Sequence, residues 1–584
     1  MAPSFQFSHR PNRAPEIPWR EWSAEAFAEA TAASRPILLS LAAAWCEWCQ
    51  RMDETTYSDP AVIAALRDHF IPIRVDTDRM PHVQDRYLAG GWPTTAFLTP
   101  RGAVLWADRF VEAPQLLSVA DSVARAWRER HAELDVEVDR RERALEAARA
   151  RQQVPGLVRR QAADDVLTCL CQSFDARNGG FGEAPKFPSP DAIELLYVQA
   201  RHGDATLVDM ADRTLDGMIA GELWDAAEGG FFRYATGDDW TGPRYEKLLA
   251  ANAAQLASFA LGASLRARAD WCEVAEQTVA WVERTLRLPG GLWSAAQCAD
   301  STYFAAAASA RATLPRPPVD PTIYTPANAR WIAALAFAGG RLDRPDWIAR
   351  AADALPVLVE TMRGPGDLLN HFRPAGEGPQ LATLLVDTLE TARAALMVFQ
   401  ASGDAALLEQ AGLLARALER HFWADDGGFW DRMRSTHDVG SLRFRERDFE
   451  LNATAARLLL DLASATGERG WRAHAERTLA LLAPQAGHWG VAGAGFALAV
   501  EEFFHPAPRI VLVGDPAAGA PLRSAALALL LPAHRVWTLP EGGRLNTITF
   551  RAEPAPAAYA CTERGCSPPQ TEPHAIAATL APLL

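Results

Sequence analysis

Hydrophobic and polar positions fall into two regimes along the chain. Up to about residue 130, short apolar runs alternate with segments of helical period. They predict a helix over 19–33, a strand over 36–44, a helix over 61–70 and a strand over Ile71–Asp76. A helix over 79–89, a strand over 94–99, an edge strand over 104–110 and a closing helix from 113 to about 130 follow. From 157 to 505 the pattern becomes twelve Ala/Leu-rich helical segments, at 157–174, 190–202, 205–223, 245–267, 271–287, 327–340, 346–363, 380–401, 404–422, 449–466, 470–483 and 493–505. Loops rich in glycine and aromatics, among them Asp175-Ala-Arg-Asn-Gly-Gly-Phe181, Asp225-Ala-Ala-Glu-Gly-Gly-Phe231 and Asp425-Asp-Gly-Gly-Phe429, follow the odd-numbered segments. Short connections follow most of the even ones. Six such hairpins predict an all-α (α/α)6 toroid, with odd helices outside, even helices lining the centre and the long loops at one end. An open solenoid of the same hairpins is the structural alternative.

After Pro506 the runs shorten to a strand over 509–514, a helix over 520–531, strands over 535–539 and 557–561, and a short terminal helix. This reads as a small α/β cap. The chain therefore divides into a tail (1–16), an α/β domain (17–132), a charged linking helix (133–156), the toroid (157–505) and the C-terminal α/β region (506–584).

The first strand delivers a dithiol, Trp45-Cys46-Glu47-Trp48-Cys49. A C-x-x-C that opens a helix puts Cys46 at the helix N-terminus, where unpaired amides and the dipole stabilise a thiolate, so Cys46 is the candidate nucleophile. Cys49, one turn further, is the candidate resolving thiol. Pro93 precedes a strand 47 residues after Cys46, the position of a cis-proline facing such a dithiol. Trp45, Trp48 and Trp92 flank these residues as candidate substrate contacts. The same cysteine spacing also supplies half a zinc site, which needs two further ligands. Redox chemistry, a metal half-site and a silent relic all remain open at this stage.

Cys46-Glu-Trp-Cys49, Val75-Asp76, Gly90-Gly-Trp-Pro93 and Phe97-Leu-Thr-Pro100 resemble the thioredoxin-like domain of the spermatogenesis-associated protein 20 family. Gly179-Gly-Phe-Gly-Glu-Ala-Pro-Lys-Phe-Pro188 and Tyr245-Glu-Lys-Leu-Leu249 extend the resemblance into the long second domain, which in that family looks like the six-hairpin glycosidases. The resemblance implies a thioredoxin-like domain fused to a glycosidase-like toroid, thiol-disulfide oxidoreductase activity and a carbohydrate-like ligand. The chain departs from the family at Glu47 and Gln50, where His is usual, and at Arg244 or Tyr245, where a His stands. It departs again at Cys298-Ala-Asp-Ser301, where the family has Asp-Ala-Asp-Ser. Thioredoxins also bury an Asp where this chain has Ser40. A carboxylate at Glu47 opposes a thiolate on Cys46, and Ser40 removes a proton acceptor.

Composition narrows the partners. A net charge of -14 argues against nucleic acid and acidic membranes, and no apolar run reaches the roughly 18 residues of a membrane span. The first residues hold no apolar signal core, so a cytoplasmic protein is expected. No cofactor is implied. Only two of 58 basic residues are lysines, Lys186 and Lys247, which marks both as candidate ligand contacts. Cys561 and Cys566 fit a disulfide, metal ligands or a relay to Cys46; in a cytoplasmic chain a reduced packed pair is the expectation.

In a toroid the starts of the even helices face the pocket, which nominates Tyr245, Glu246, Asn328, Asp387, Glu390, Glu450 and Asn452, with Asp300 and His371 from loops. Glycosidic cleavage needs two carboxylates, for which Glu246 with Asp387 or Glu390 are the candidates. Epimerisation would use His371. Two function classes follow. One is an oxidoreductase acting on a protein thiol partner beside a toroid that binds or processes a carbohydrate-like ligand. The other is a non-catalytic binding scaffold.

Overall fold

The computed structural model describes residues 7–152, 154–201, 203–506, 508–529, 536–545, 548–552, 556–562 and 565–580. Residues 1–6 of the expected tail, and 530, 531 and 535 of the expected cap elements, lie outside them. The N-terminal domain is thioredoxin-like. Its helices are α1 (Ala24–Ala32), α2 (Glu47–Glu54), α3 (Pro60–His69), α4 (Pro81–Tyr87) and α5 (Ala113–Gln152). The strands β1 (Ile37–Ala42), β2 (Ile71–Asp76), β3 (Thr94–Leu98) and β4 (Val104–Asp108) form a sheet of order β2-β1-β3-β4. β1 is buried at every position, parallel to β2 and antiparallel to β3, as an apolar run without alternation requires.

Within α5 the closing helix and the linking helix meet at a kink at Arg130, whose φ of -136° and ψ of 20° are not helical. One expectation is corrected here. The tail is not a tail from Phe7 onward. Phe7 is buried with its ring over the Arg74 guanidinium, and Ala14 and Ile17 join the core beside Trp19. The ring adds a cation–π attraction to a guanidinium whose charge is met by Asp53.

Among the described residues, twelve helices pair into six hairpins. The outer helices are α6 (Gln161–Ser173), α8 (Ala205–Ala220), α10 (Ala269–Thr285), α14 (Pro345–Thr361), α16 (Ala405–Phe422) and α18 (Arg469–Leu482). The inner helices are α7 (Pro190–Ala200), α9 (Leu249–Arg266), α13 (Thr325–Arg341), α15 (Leu385–Ser402), α17 (Phe449–Thr466) and α19 (Ala494–Phe504). Short helices α11 (Ser301–Phe304) and α12 (Ala308–Arg311) lie in the third long loop. Each inner helix packs on the next, and α19 packs back on α7, which closes the ring and excludes the solenoid. Small residues permit the close approach: a Cβ on Gly262 would meet Leu215 at 2.6 Å.

The long loops share one face because short ladders stitch them together. Lys186 bridges Ala235, and β5 (Lys247–Leu248) pairs with β6 (Ala296–Gln297), itself paired with β7 (Val319–Asp320). β8 (Ile323–Tyr324) pairs with β9 (Phe372–Arg373), and Leu384 bridges Arg432. Consecutive glycines with positive φ, Gly179-Gly180 and Gly229-Gly230, turn the first two loops. The two lysines hold those same turns. Lys186 bonds Asp175 and the Gly179 carbonyl, and Lys247 bonds Asp225 at 2.6 Å and the Gly229 carbonyl at 2.8 Å. Asn252, Asn328 and Asn452 each clamp the aromatic residue of a loop: the backbone N–H groups of Phe231, Trp293 and Phe429 donate to their side-chain oxygens at 2.7–2.9 Å. Lys186, Lys247, Asn328 and Asn452 are thus buried loop braces, where the sequence suggested ligand contacts.

The C-terminal strands β10 (Arg509–Val513), β11 (Val536–Leu539), β14 (Ala557–Thr562) and β15 (Gly565–Cys566) form a sheet of order β11-β10-β14-β15 with helices α20 (Ala520–Leu527) and α21 (Pro573–Leu580) beside it. β12 (Arg544–Leu545) and β13 (Ile548–Thr549) make a separate hairpin. This cap closes the far end of the toroid, where Arg341 and Ser464 at the ends of inner helices bond Leu527 and Arg509. Cys561 and Cys566 are disulfide-bonded, which corrects the expected reduced pair; they are direct partners across β14 and β15. The length of an 18-residue inner helix, about 27 Å, separates them from the loop face, which removes the relay to Cys46. No described helix is long and apolar enough to cross a membrane.

The loop braces differ in burial. Asp225 is held by both Lys247 and Arg311; burial works against its carboxylate, but the two cations outweigh it and hold it below the usual range. Asp225→Ala should strand two buried cations and cost about 3–5 kcal/mol, whereas Asp175→Ala strands only Lys186. Thermal denaturation should show the larger drop for Asp225→Ala; equal drops would refute this ranking.

Candidate functional site

The thioredoxin-like domain sits on the loop face of the toroid. The Ala299 N–H donates to the Trp45 carbonyl at 3.0 Å, and Arg86 bonds Asp431 at 2.7 Å and the Phe444 carbonyl at 3.3 Å. The Ser441 N–H donates to the Tyr87 hydroxyl at 2.8 Å. Leu442 enters the core of the N-terminal domain beside Trp22, Phe27 and Tyr87.

The dithiol lies at this junction. Cys46 caps α2, and its Sγ accepts the Cys49 N–H at 3.2 Å. Cys46 and Cys49 are 2% and 1% exposed, so the toroid loops and Phe7 cover the face a free thioredoxin-like domain would present. Burial, and then Cys46, raises the Cys49 thiol well above its usual range. The Trp92–Pro93 bond is cis. Trp45 donates from Nε1 to Asp78 at 2.7 Å and Trp92 from Nε1 to Thr77 at 3.0 Å. The Arg233 guanidinium lies over Trp45 at 4.8 Å and Trp92 at 5.1 Å, and Arg244 lies over Trp48. Glu47 turns its carboxylate to the toroid, accepting from the Ser301 hydroxyl at 2.5 Å.

Two residues beneath the dithiol escaped the sequence reading. Asp53, one turn beyond Cys49, is buried against Arg74, and burial raises its carboxyl despite that partner. A carboxylate inside a helix carries no local signal of such a role.

Around the junction both domains supply carboxylates, Asp76 and Asp78 from the first and Asp320, Asp387 and Glu246 from the toroid. Burial and the neighbouring Asp78 push Asp76 up to about 8, and burial and Asp320 push Asp78 up to about 6. His371 Nδ1 faces Asp387 at 2.7 Å while Nε2 faces the Asp78 carbonyl at 2.8 Å. A carbonyl only accepts, so Nε2 carries a proton and a second one is shared between Nδ1 and Asp387. Burial opposes the imidazolium, but Asp387 and the Asp78 carbonyl outweigh it and raise His371. Glu246 is buried near Arg233 at 3.6 Å, its carboxyl raised by burial, with Oε2 lacking a hydrogen bond.

Deeper in the ring, Arg330 and Arg393 grip Glu390 and, against burial, lower it. Asp85 of α4 and Asp191 and Glu450 of the inner helices are exposed, yet surrounding protein raises all three carboxyls, Asp85 to about 6.

The junction therefore gathers Cys46, Cys49, Pro93, Trp45, Trp48 and Trp92 with Glu246, His371 and Asp387. Glu390 and Glu450 lie on the inner helices α15 and α17. Asp300 is a helix cap, accepting the Tyr303 N–H at 3.0 Å, and Tyr245 stacks on Phe304. Cys298 and Asp320 were not foreseen as junction residues, because only the pairing of β6 with β7 brings them there.

Residues 7–146 match the family described as Thioredox_DsbH, protein of unknown function, DUF255. The chain has homologues named spermatogenesis-associated protein 20; the human one is 26% identical over 311 residues, 49% of this chain and 39% of that protein. An uncharacterized protein of Caenorhabditis elegans is 28% identical over 266 residues, 42% of this chain and 36% of that protein. The chain thus spans less than half the length of the curated relatives it matches. Among solved structures, cellobiose 2-epimerase from Bacillus thermoamylovorans aligns with TM-score 0.45 and 11% identity over 55% of this chain and 85% of that chain. An unsaturated glucuronyl hydrolase from a Bacillus species aligns with TM-score 0.42 and 14% identity over 59% and 96%.

The raised groups set a pH dependence. His371 contributes its stabilisation fully below the unfolded histidine value of about 6.5 and loses it as pH rises through its raised folded value. Asp76 contributes fully below about 3.9 and loses it as pH climbs toward about 8. The junction should therefore loosen with rising pH. Thermal midpoints followed through tryptophan fluorescence should fall from about pH 5 to about pH 9, with a shallower slope in His371→Gln; a flat or rising wild-type profile would contradict the assignment.

Proposed function

We infer that the chain is a thiol-disulfide exchange protein whose dithiol works at the mouth of a ligand-binding toroid. The observation that carries this reading is the position of Cys46, whose Sγ caps α2 and accepts the Cys49 N–H. Negative charge on that sulfur meets the unpaired amides of a helix start. In the exchange, the Cys46 thiolate attacks one sulfur of a substrate disulfide and the other sulfur leaves, taking a proton. Cys49 then loses its proton and attacks Cys46, releasing the second sulfur; two electrons and two protons pass to the substrate. Asp53 is the candidate acceptor for the Cys49 proton, since Ser40 cannot fill that role. With Cys46 2% exposed, a small disulfide reaches it more readily than a protein partner, which needs the junction to open.

The toroid half suits a carbohydrate-like ligand, because its inner helices offer the exposed Glu450 carboxylate and the part-exposed Arg330 and Arg393 guanidinium groups to hydroxyls. Binding is favoured over cleavage: Glu390 is held charged by two arginines, and Asp387 is engaged by His371. One observation favours the scaffold reading instead, namely the burial of both thiols.

A redox titration distinguishes the two. Alkylation and mass spectrometry across graded glutathione potentials should reveal a two-electron change that removes the Cys46 and Cys49 free thiols. If both stay free thiols under strong oxidant, the exchange reading fails.

A further inference from the structure

The face of the dithiol is occupied by a segment of the same chain. Cys298 to Ser301 runs alongside Ala44 to Glu47 in the same direction. The Cys298 thiol donates to the Ala44 carbonyl at 3.4 Å, the Ala299 N–H to the Trp45 carbonyl at 3.0 Å, and the Ser301 hydroxyl to Glu47 at 2.5 Å. An extended peptide docks on a protein edge by the same main-chain contacts, with side chains reading the pockets between them. The docked segment carries a thiol of its own. Cys298 is 2% exposed and shares one buried apolar cluster with Cys46, Cys49, Trp45 and Phe7.

The hydrogen bond between Ala299 and Trp45 limits how far apart the cysteines can be. Standard bond lengths on either side of it hold the Cα atoms of Cys298 and Cys46 within about 8 Å of each other. Disulfides span about 4.4–6.8 Å between Cα atoms, so at most a small shift of the loop is needed.

Building on the exchange reading above, we propose that Cys298 is a client thiol of the dithiol within the same chain, and that exchange yields a Cys46–Cys298 disulfide joining the two domains. A low-molecular-weight disulfide first oxidises Cys46 and Cys49 and leaves as two thiols. Cys298 then attacks Cys46. The Cys46–Cys49 bond breaks, the Cys46–Cys298 bond forms, and the proton lost by Cys298 ends on Cys49, with no net oxidation in this step. The product straps the thioredoxin-like domain across the toroid mouth. Cys49, released on the same side of Cys46, reverses the step when the buffer turns reducing.

The full chain, as wild type and as Cys49→Ser, is equilibrated in glutathione buffers of graded potential. Samples are quenched in acid denaturant, alkylated and digested without reductant for mass spectrometry. The expected result is a Cys46–Cys298 peptide pair that dominates in Cys49→Ser, appears as a minor species in wild type and vanishes in Cys49→Ser/Cys298→Ser, where Cys46 carries glutathione instead. If Cys46 in Cys49→Ser takes up glutathione while Cys298 alkylates fully, the proposal is overturned and the exchange reading stands. If Cys46 alkylates fully under every condition, the exchange reading falls and this proposal with it. Should Cys49→Ser lose its helical circular dichroism, wild type decides: oxidation must remove part of the Cys298 free thiol, and a constant Cys298 thiol overturns the proposal.

Discussion

Closing six inner helices into a ring brings six helix starts and their incoming loops onto one face, where many backbone groups lose helical partners. Everything else in the molecule depends on how those groups are satisfied. The inner-helix asparagines Asn252, Asn328 and Asn452 take both the N–H and the carbonyl of a loop aromatic, and Lys186 and Lys247 take glycine carbonyls. The result is a rigid platform rather than a set of independent loops. The thioredoxin-like domain can dock on it with directed bonds, such as Arg86 to Asp431 and His371 to Asp78.

Docking changes the chemistry of both parts. It buries a dithiol that would otherwise face solvent, and it brings Asp76 and Asp78 of one domain against Asp320 and His371 of the other. Carboxylates crowded in this way hold protons that isolated ones release. Glu47 illustrates the effect on a single residue. Beside Cys46 in sequence it would oppose a thiolate, yet in the folded chain its carboxylate is engaged by Ser301 across the junction.

Periodicity made the architecture legible. Each of the twelve toroid helices follows an apolar stripe of helical period, and glycine-containing loops mark where the outer helices end. The cysteine pair and Pro93 were legible for the same reason, since their meaning lies in local spacing. Other features depend on pairings far apart in sequence. The scarcity of lysine drew notice to Lys186 and Lys247, but nothing local shows that each ammonium meets an aspartate of the preceding loop. Asp53 and Arg74 are 21 residues apart and meet only once β2 lies under α2. The Cys561–Cys566 bond was weighed against a reduced pair on the basis of compartment, which says nothing of two residues opposed across a hairpin.

Leu442, a fifth-loop residue seated in the core of the first domain, bears on how the protein is made. When α5 has left the ribosome, the apolar surface of Trp22, Phe27 and Tyr87 that Leu442 covers is still bare. Some 290 residues remain to be added, about 15–60 s of synthesis at ~5–20 residues per second. During that interval the nascent domain shows an unfinished hydrophobic patch and a cysteine pair that the toroid does not yet cover. The order of translation thus leaves that surface uncovered until the chain's own fifth hairpin arrives.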